Sequence, residues 1–173
     1  LSNSGTVDNT GLNAFSFGIH FQQGGTITNN AGARVEGITA VQVQGQTGVV
    51  TNSGSIAGGT LRGVELAAGG TVANNAGGVI SGFGGGVLVS NGGTVTNSGT
   101  VTSSAFNAIR VAGGGTIVNL QGGYVEGVTS AAGIVGGGTI TNAGTMIGTG
   151  GSDGIFIQNG GVIGTTLLQL CDG

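Results

Sequence analysis

The sequence contains no proline, no tryptophan and no lysine, has a single cysteine and a single histidine, and is only 5% charged. Each of these gaps removes a class of protein. A collagen triple helix needs glycine at every third position together with abundant proline, so 43 aperiodic glycines without one proline do not make collagen. Three arginines against six acids leave a formal net charge of -3 and no basic patch, which sets nucleic acid aside as a partner. Cys171 has no second cysteine to pair with inside the chain and reads as a free thiol in the tail. No run of about 20 apolar residues exists, so no transmembrane helix is expected. The mean hydropathy of +0.37 comes from Val, Ile and Ala mixed with Gly. Disorder is also excluded, because disordered chains are charge-rich and poor in β-branched residues.

What is present is a repeat. Gly92-Gly93-Thr94-Val95-Thr96-Asn97-Ser98-Gly99-Thr100-Val101 has close copies at Gly24 to Asn29, Gly69 to Asn74, Gly114 to Asn119 and Gly137 to Asn142. A looser copy runs from Gly48 to Asn52, and the chain opens inside another at Leu1 to Val7. The asparagines fall at 3, 29, 52, 74, 97, 119 and 142, so that after the first long step the spacing is 22 or 23 residues. A fixed period of this size is the mark of a solenoid. Short Asn-Ser/Ala-Gly turns at Asn3, Asn52, Asn97 and Asn142 alternate with longer ones at Asn29, Asn74 and Asn119, which gives a larger unit of 45 residues.

Within each repeat, apolar and small polar residues alternate with a period of two, the strand signal. The expected fold is therefore all-β: a single-stranded parallel β-helix of about seven coils, three short strands each, spanning residues 1–164. Residues 165–173 form a non-repeat tail, a cap or docking segment. The first strand turns Ile27, Val50, Val72, Val95, Ile117 and Ile140 inward. The second turns in Val7, Val35, Ile56, Ile80, Val101, Val125 and Met146. The third contributes the pairs Ile19/Phe21, Val41/Val43, Val64/Leu66, Val87/Val89, Ile109/Val111, Ala132/Ile134 and Ile155/Ile157. At the usual strand spacing, seven coils make a rod of roughly 34 Å. Asn29, Asn52, Asn74, Asn97, Asn119 and Asn142 share the inward side, where buried amides are tolerated only if bonded; stacked on one another they form a ladder. An insertion between Asp8 and Phe17 lengthens the first coil and is expected to bulge from a corner.

No catalytic constellation, cofactor motif or metal set emerges. His20 alternates with Ile19 and Phe21 and is expected on the surface. The acids are dispersed, without the Asp-bearing glycine nonapeptide of calcium-binding β-rolls. Glu36 and Glu126 occupy matching positions but lie four coils apart, roughly 20 Å, too far for a retaining carboxylate pair. The glycine runs lack the Lys-Ser/Thr of a phosphate loop. One surface has pattern: the outward residues beside the first-strand core column are Thr26, Val49, Thr71, Thr94, Thr116, Thr139 and Thr28, Thr51, Ala73, Thr96, Val118, Thr141. Threonine suits any solvent-facing strand, and a flat Thr-x-Thr array is also a candidate ice-binding face.

The Gly-Gly-Thr-Val-Thr-Asn-Ser-Gly-Thr-Val repeat, followed by a Gly-Ile/Val-x-Val strand, resembles the passenger repeats of bacterial autotransporters and related secreted adhesins, over nearly the whole chain to Gly164. The resemblance implies a right-handed parallel β-helix, secreted to the bacterial cell surface or beyond, serving as stalk, adhesin or fibre component. Beginning at Leu1 in mid-repeat, the chain is expected to be a mature product or a fragment. Uncapped solenoid ends predict head-to-tail association, with Leu1, Leu167, Leu168 and Leu170 as the contacts. A host surface or carbohydrate is the expected external partner. A polysaccharide-active enzyme using Glu36, Glu65 or Glu126 ranks below both the structural rod and ice binding.

Overall fold

The structure, a computed structural model, describes residues 1–9, 11, 16–151 and 153–165. All regular structure in these residues is strand, and the strands fall into three parallel sheets that the chain visits in turn. The first sheet has eight strands: Ser2–Asn3, Gly25–Asn29, Gly48–Asn52, Gly70–Asn74, Gly93–Asn97, Gly115–Asn119, Gly138–Asn142 and Gly161–Thr165. The second has seven: Thr6–Asp8, Arg34–Gly37, Ser55–Gly58, Val79–Gly82, Thr100–Ser103, Tyr124–Gly127 and Thr145–Gly148. The third also has seven: Phe17–Phe21, Thr39–Val43, Arg62–Leu66, Gly85–Val89, Ile109–Ala112, Ala132–Val135 and Ile155–Gln158. This is a β-solenoid of about seven turns with three strands per coil.

Register follows the repeat. Val50, Val72, Val95, Ile117 and Ile140 pair in one unbroken column of the first sheet. Val35, Ile56, Ile80, Val101, Val125 and Met146 do so in the second. In the third sheet the two-apart pairs stack from Ile19/Phe21 through to Ile155/Ile157. Nearly all of these side chains are buried, with Val7, Phe21, Met146, Ile155 and Ile157 partly buried against the same core. Like therefore packs on like, and a one-residue slip in any strand would expose its core residue.

Two kinds of glycine make the corners. At the turn into the first sheet, the leading glycine of the Gly-Gly pair is left-handed, as at Gly92 (φ 82°) and Gly114 (φ 84°), a conformation other residues adopt at a cost. At the turn into the second sheet the requirement is space. A Cβ on Gly99 would lie 2.2 Å from the Gly78 carbonyl oxygen and 2.5 Å from that of Asn75. The long first coil has its extra residues between Thr6–Asp8 and Phe17–Phe21, at the corner joining the second and third sheets; Thr10 and residues 12–15 of that insertion lie outside the described residues. The last strand runs to Thr165, one residue past the expected end of the array. Leu167, Leu168, Leu170 and Cys171 of the proposed tail lie outside the described residues.

Candidate functional site

The asparagine column is the first polar feature that the fold assembles. Asn3, Asn29, Asn52, Asn74, Asn97 and Asn119 each donate from Nδ2 to the Oδ1 of the next asparagine, at 2.8–2.9 Å throughout. Each Nδ2 also reaches a carbonyl of its own turn and a carbonyl at the start of the second-sheet strand one coil on; for Asn97 these are Gly99 at 3.1 Å and Tyr124 at 3.3 Å. In the short turns, but not the long ones, the Oδ1 also accepts from the glycine N–H two residues later, at 3.2 Å for Gly54, Gly99 and Gly144 and, with no asparagine before it, for Gly5 to Asn3. The ladder is thus a structural element with two alternating kinds of rung. Its amides bond to one another and to the corner backbone.

The threonine columns also form as expected. Thr26, Val49, Thr71, Thr94, Thr116 and Thr139 stack in register, beside Thr28, Thr51, Ala73, Thr96, Val118 and Thr141. Thr26 and Thr71 are exposed, whereas Thr28, Thr51, Thr94, Thr96, Thr116, Thr139 and Thr141 are half-buried. The face is regular, with Val49, Ala73 and Val118 interrupting both columns. Leu1 has an exposed side chain, and its ammonium donates to the Thr26 carbonyl oxygen at 2.8 Å.

His20 departs from expectation. Its ring lies 4.6 Å from that of Phe17, tilted by 41°, and it is half-buried; its Nε2 is buried with no hydrogen-bond partner among the described residues. Strand alternation fixes only the side of the sheet, and the Phe17 ring covers that side here. Glu36 pairs with Arg34, Arg62 lies 3.4 Å from Glu65, and Tyr124 donates its phenol proton to the Glu126 carboxylate. That hydrogen bond, with burial and the adjacent negative charge, raises Tyr124 above its ordinary pKa of 10.0. Glu36 and Glu126 sit in one outward column of the second sheet, four strands apart, with Ala57, Ser81 and Thr102 between them. No group of three metal-ligating side chains occurs among the described residues.

A groove along the corner between the second and third sheets went unread in the sequence. Leu61, Phe83 and Phe106 stand exposed there on successive coils. They border a cavity of about 450 Å³ shared with Arg62, Leu88 and Arg110. A second cavity of about 370 Å³ continues it along the rod, also touching Arg110 and lined by Asn107, Gly133, Asp153, Phe156 and Gln158. The signal was available: positions 61, 83 and 106 follow the same 22- and 23-residue steps as the asparagines. Comparison with protein families, curated proteins and solved structures found no match.

Proposed function

We propose that this chain is a non-enzymatic, extracellular structural and adhesive rod, a stiff β-solenoid that holds to surfaces through its side faces. The observation that supports this reading is the unbroken in-register stacking of three sheets, with the asparagine ladder along one corner. Such stacking repeats any weak side-face contact at fixed steps along one axis, and linked weak contacts add up to firm attachment. The test couples the chain to beads and measures their retention under flow on polysaccharide- and cell-coated surfaces, with released reducing ends assayed in the same wells. Retention without released product is the expected result. Retention on no surface, or product release abolished by Glu65→Gln or Glu126→Gln, would overturn the reading.

Association of rods along the axis belongs to the same proposal, because parallel strands extend coil on coil by the same hydrogen bonds. Filaments at rising concentration in negative-stain electron microscopy are expected, and discrete short rods at every concentration would remove this part. A second reading, ice binding, draws on the two in-register threonine columns. It requires thermal hysteresis in the wild type that Thr94→Lys abolishes, and the absence of hysteresis in the wild type would end it.

A further inference from the structure

The corner groove has the construction of a ligand site. Exposed phenylalanines usually relax by moving against the nearest apolar surface; here Phe83 and Phe106 are 51% and 54% exposed, and the turns that carry them are tied together. Ser103, only 5% exposed, donates from its hydroxyl to the Phe83 carbonyl oxygen at 3.2 Å and accepts from the Phe106 N–H at 3.0 Å. One buried hydroxyl thus fixes two neighbouring aromatic-bearing turns, and a contact surface ordered in advance loses less entropy on binding. On the third sheet beside them, the outward column reads Leu88, Arg110, Gly133, Phe156. Gly133 keeps the floor open: a Cβ there would lie 2.8 Å from Asn107 Nδ2 and 3.7 Å from Phe156 Cδ1. Arg110 is exposed and has no ion-pair partner among the described residues, whereas the other two arginines are paired with Glu36 and Glu65.

The direction of the groove selects the class of occupant. It runs across the strands, along the rod, over about four coil steps or roughly 19 Å. The sheet backbone beneath is spent on coil-to-coil pairing, so no strand edge is offered to an extended peptide. What the groove offers is flat apolar platforms at Phe83, Phe106 and Phe156, hydrogen-bonding side chains at Gln158 and Asp153, and one exposed guanidinium between the platforms. Sugar rings match this, having an apolar C–H face and a hydroxyl-bearing rim. A carboxylate matches Arg110, which can hold it with two parallel hydrogen bonds. Asp153 at the far end repels a densely charged polymer, so the charges must be spaced.

We propose that the groove from Leu61 to Phe156 binds an extended oligosaccharide with spaced uronic acid carboxylates, its sugar faces on Phe83 and Phe106 and one carboxylate on Arg110. The proposal names the ligand class for the adhesive reading above and rests on that reading for its biological setting. Titration calorimetry of the full chain with a hyaluronan hexasaccharide is the test, against neutral chitohexaose, a fully sulfated heparin hexasaccharide and hexaglutamate. The hyaluronan probe should bind best. Arg110→Gln and Phe106→Ala should each weaken it by about tenfold or more, with unchanged circular dichroism, and Gly133→Val should block the second cavity with similar loss. Absence of binding, equal binding of chitohexaose or hexaglutamate, stronger binding of the heparin probe, or indifference to both Arg110→Gln and Phe106→Ala would overturn the proposal. Bead retention that Arg110→Gln leaves unchanged would overturn the groove while keeping the adhesive reading. Hyaluronan binding without retention on any surface would keep the groove and remove the adhesive reading.

Discussion

Asn97→Ala should destabilise the chain far more than Asn119→Ala, although the two side chains are fully buried and occupy one column. The difference lies in what each leaves behind. Asn97 Oδ1 accepts from Asn74 Nδ2 at 2.8 Å and from the Gly99 N–H at 3.2 Å, while its Nδ2 donates to Asn119 Oδ1 at 2.8 Å. Removing it strands the Gly99 N–H and Asn119 Oδ1, neither of which has another hydrogen-bond partner in the ladder; Asn74 Nδ2 keeps two carbonyls, Gly78 and Thr100, at 3.1 Å each. Removing Asn119 strands neither neighbour. Asn97 Nδ2 keeps Gly99 and Tyr124, and Asn142 Oδ1 keeps the Gly144 N–H. The deleted atoms and the loss of two carbonyl contacts are common to both variants and cancel. Two buried orphans at about 1–3 kcal/mol each leave a gap of about 2–6 kcal/mol between the variants, large against the usual 5–15 kcal/mol of a folded domain, as an order of magnitude. Urea denaturation followed by far-ultraviolet circular dichroism reads it, and Asn52→Ala against Asn74→Ala repeats the comparison one coil pair earlier. Equal losses, or a greater loss at Asn119, would refute the two-rung account.

Further outcomes follow from other contacts. Gly99→Ala should cost more than Gly77→Ala, since the first drives a Cβ to 2.2 Å from a carbonyl oxygen while the second meets nothing within 4 Å and pays only for its φ of +79°, about 1–2 kcal/mol; thermal melts that reverse the order would refute the close-approach argument. The Tyr124 phenol should titrate above 10.0 by ultraviolet absorbance and fall toward that value in Glu126→Gln. Because the folded chain holds this proton more tightly than the unfolded one, stability should decline as pH rises from about 10; an unshifted wild-type midpoint would contradict the hydrogen bond. Ser103→Ala should leave the Phe106 N–H without its partner at a cost of about 1–3 kcal/mol and speed its hydrogen exchange selectively, and unaltered exchange there would show that the turns are held by something else.

The fold was legible because one rule governs it. Where a strand repeats in register, the period-two pattern of one coil fixes the facing of every other, so Val72, Val95 and Ile117 could be assigned inward together, and the asparagines after them as a ladder. The same rule carried the third-sheet pairs. It did not carry His20, whose surroundings depend on how Phe17 settles in the irregular first coil. It also missed the groove. Leu61, Phe83 and Phe106 belong to corners, where alternation assigns no side, and their 22- and 23-residue spacing gains meaning only once the corner is known to lie beside Arg110 and Gly133. The two rung types were visible as turn lengths, but their unequal hydrogen bonding required the positions of the glycine N–H groups.

The alternation of turns bears on how such a rod can lengthen or shorten over generations. Two of the three long corners are laced to the short corner before them: Asn30 Nδ2 reaches the hydroxyls of Ser2 and Ser4, and Asn75 Nδ2 reaches that of Ser53, while Leu120 holds the matching place in the third. Loss of a single coil would set two corners of one kind against each other and strand these amides, whereas loss or duplication of 45 residues restores every partner. The heritable step in length is therefore the coil pair. Internal duplications and deletions in genes for rods of this design should come in multiples of 45 codons, with single-coil changes confined to the ends.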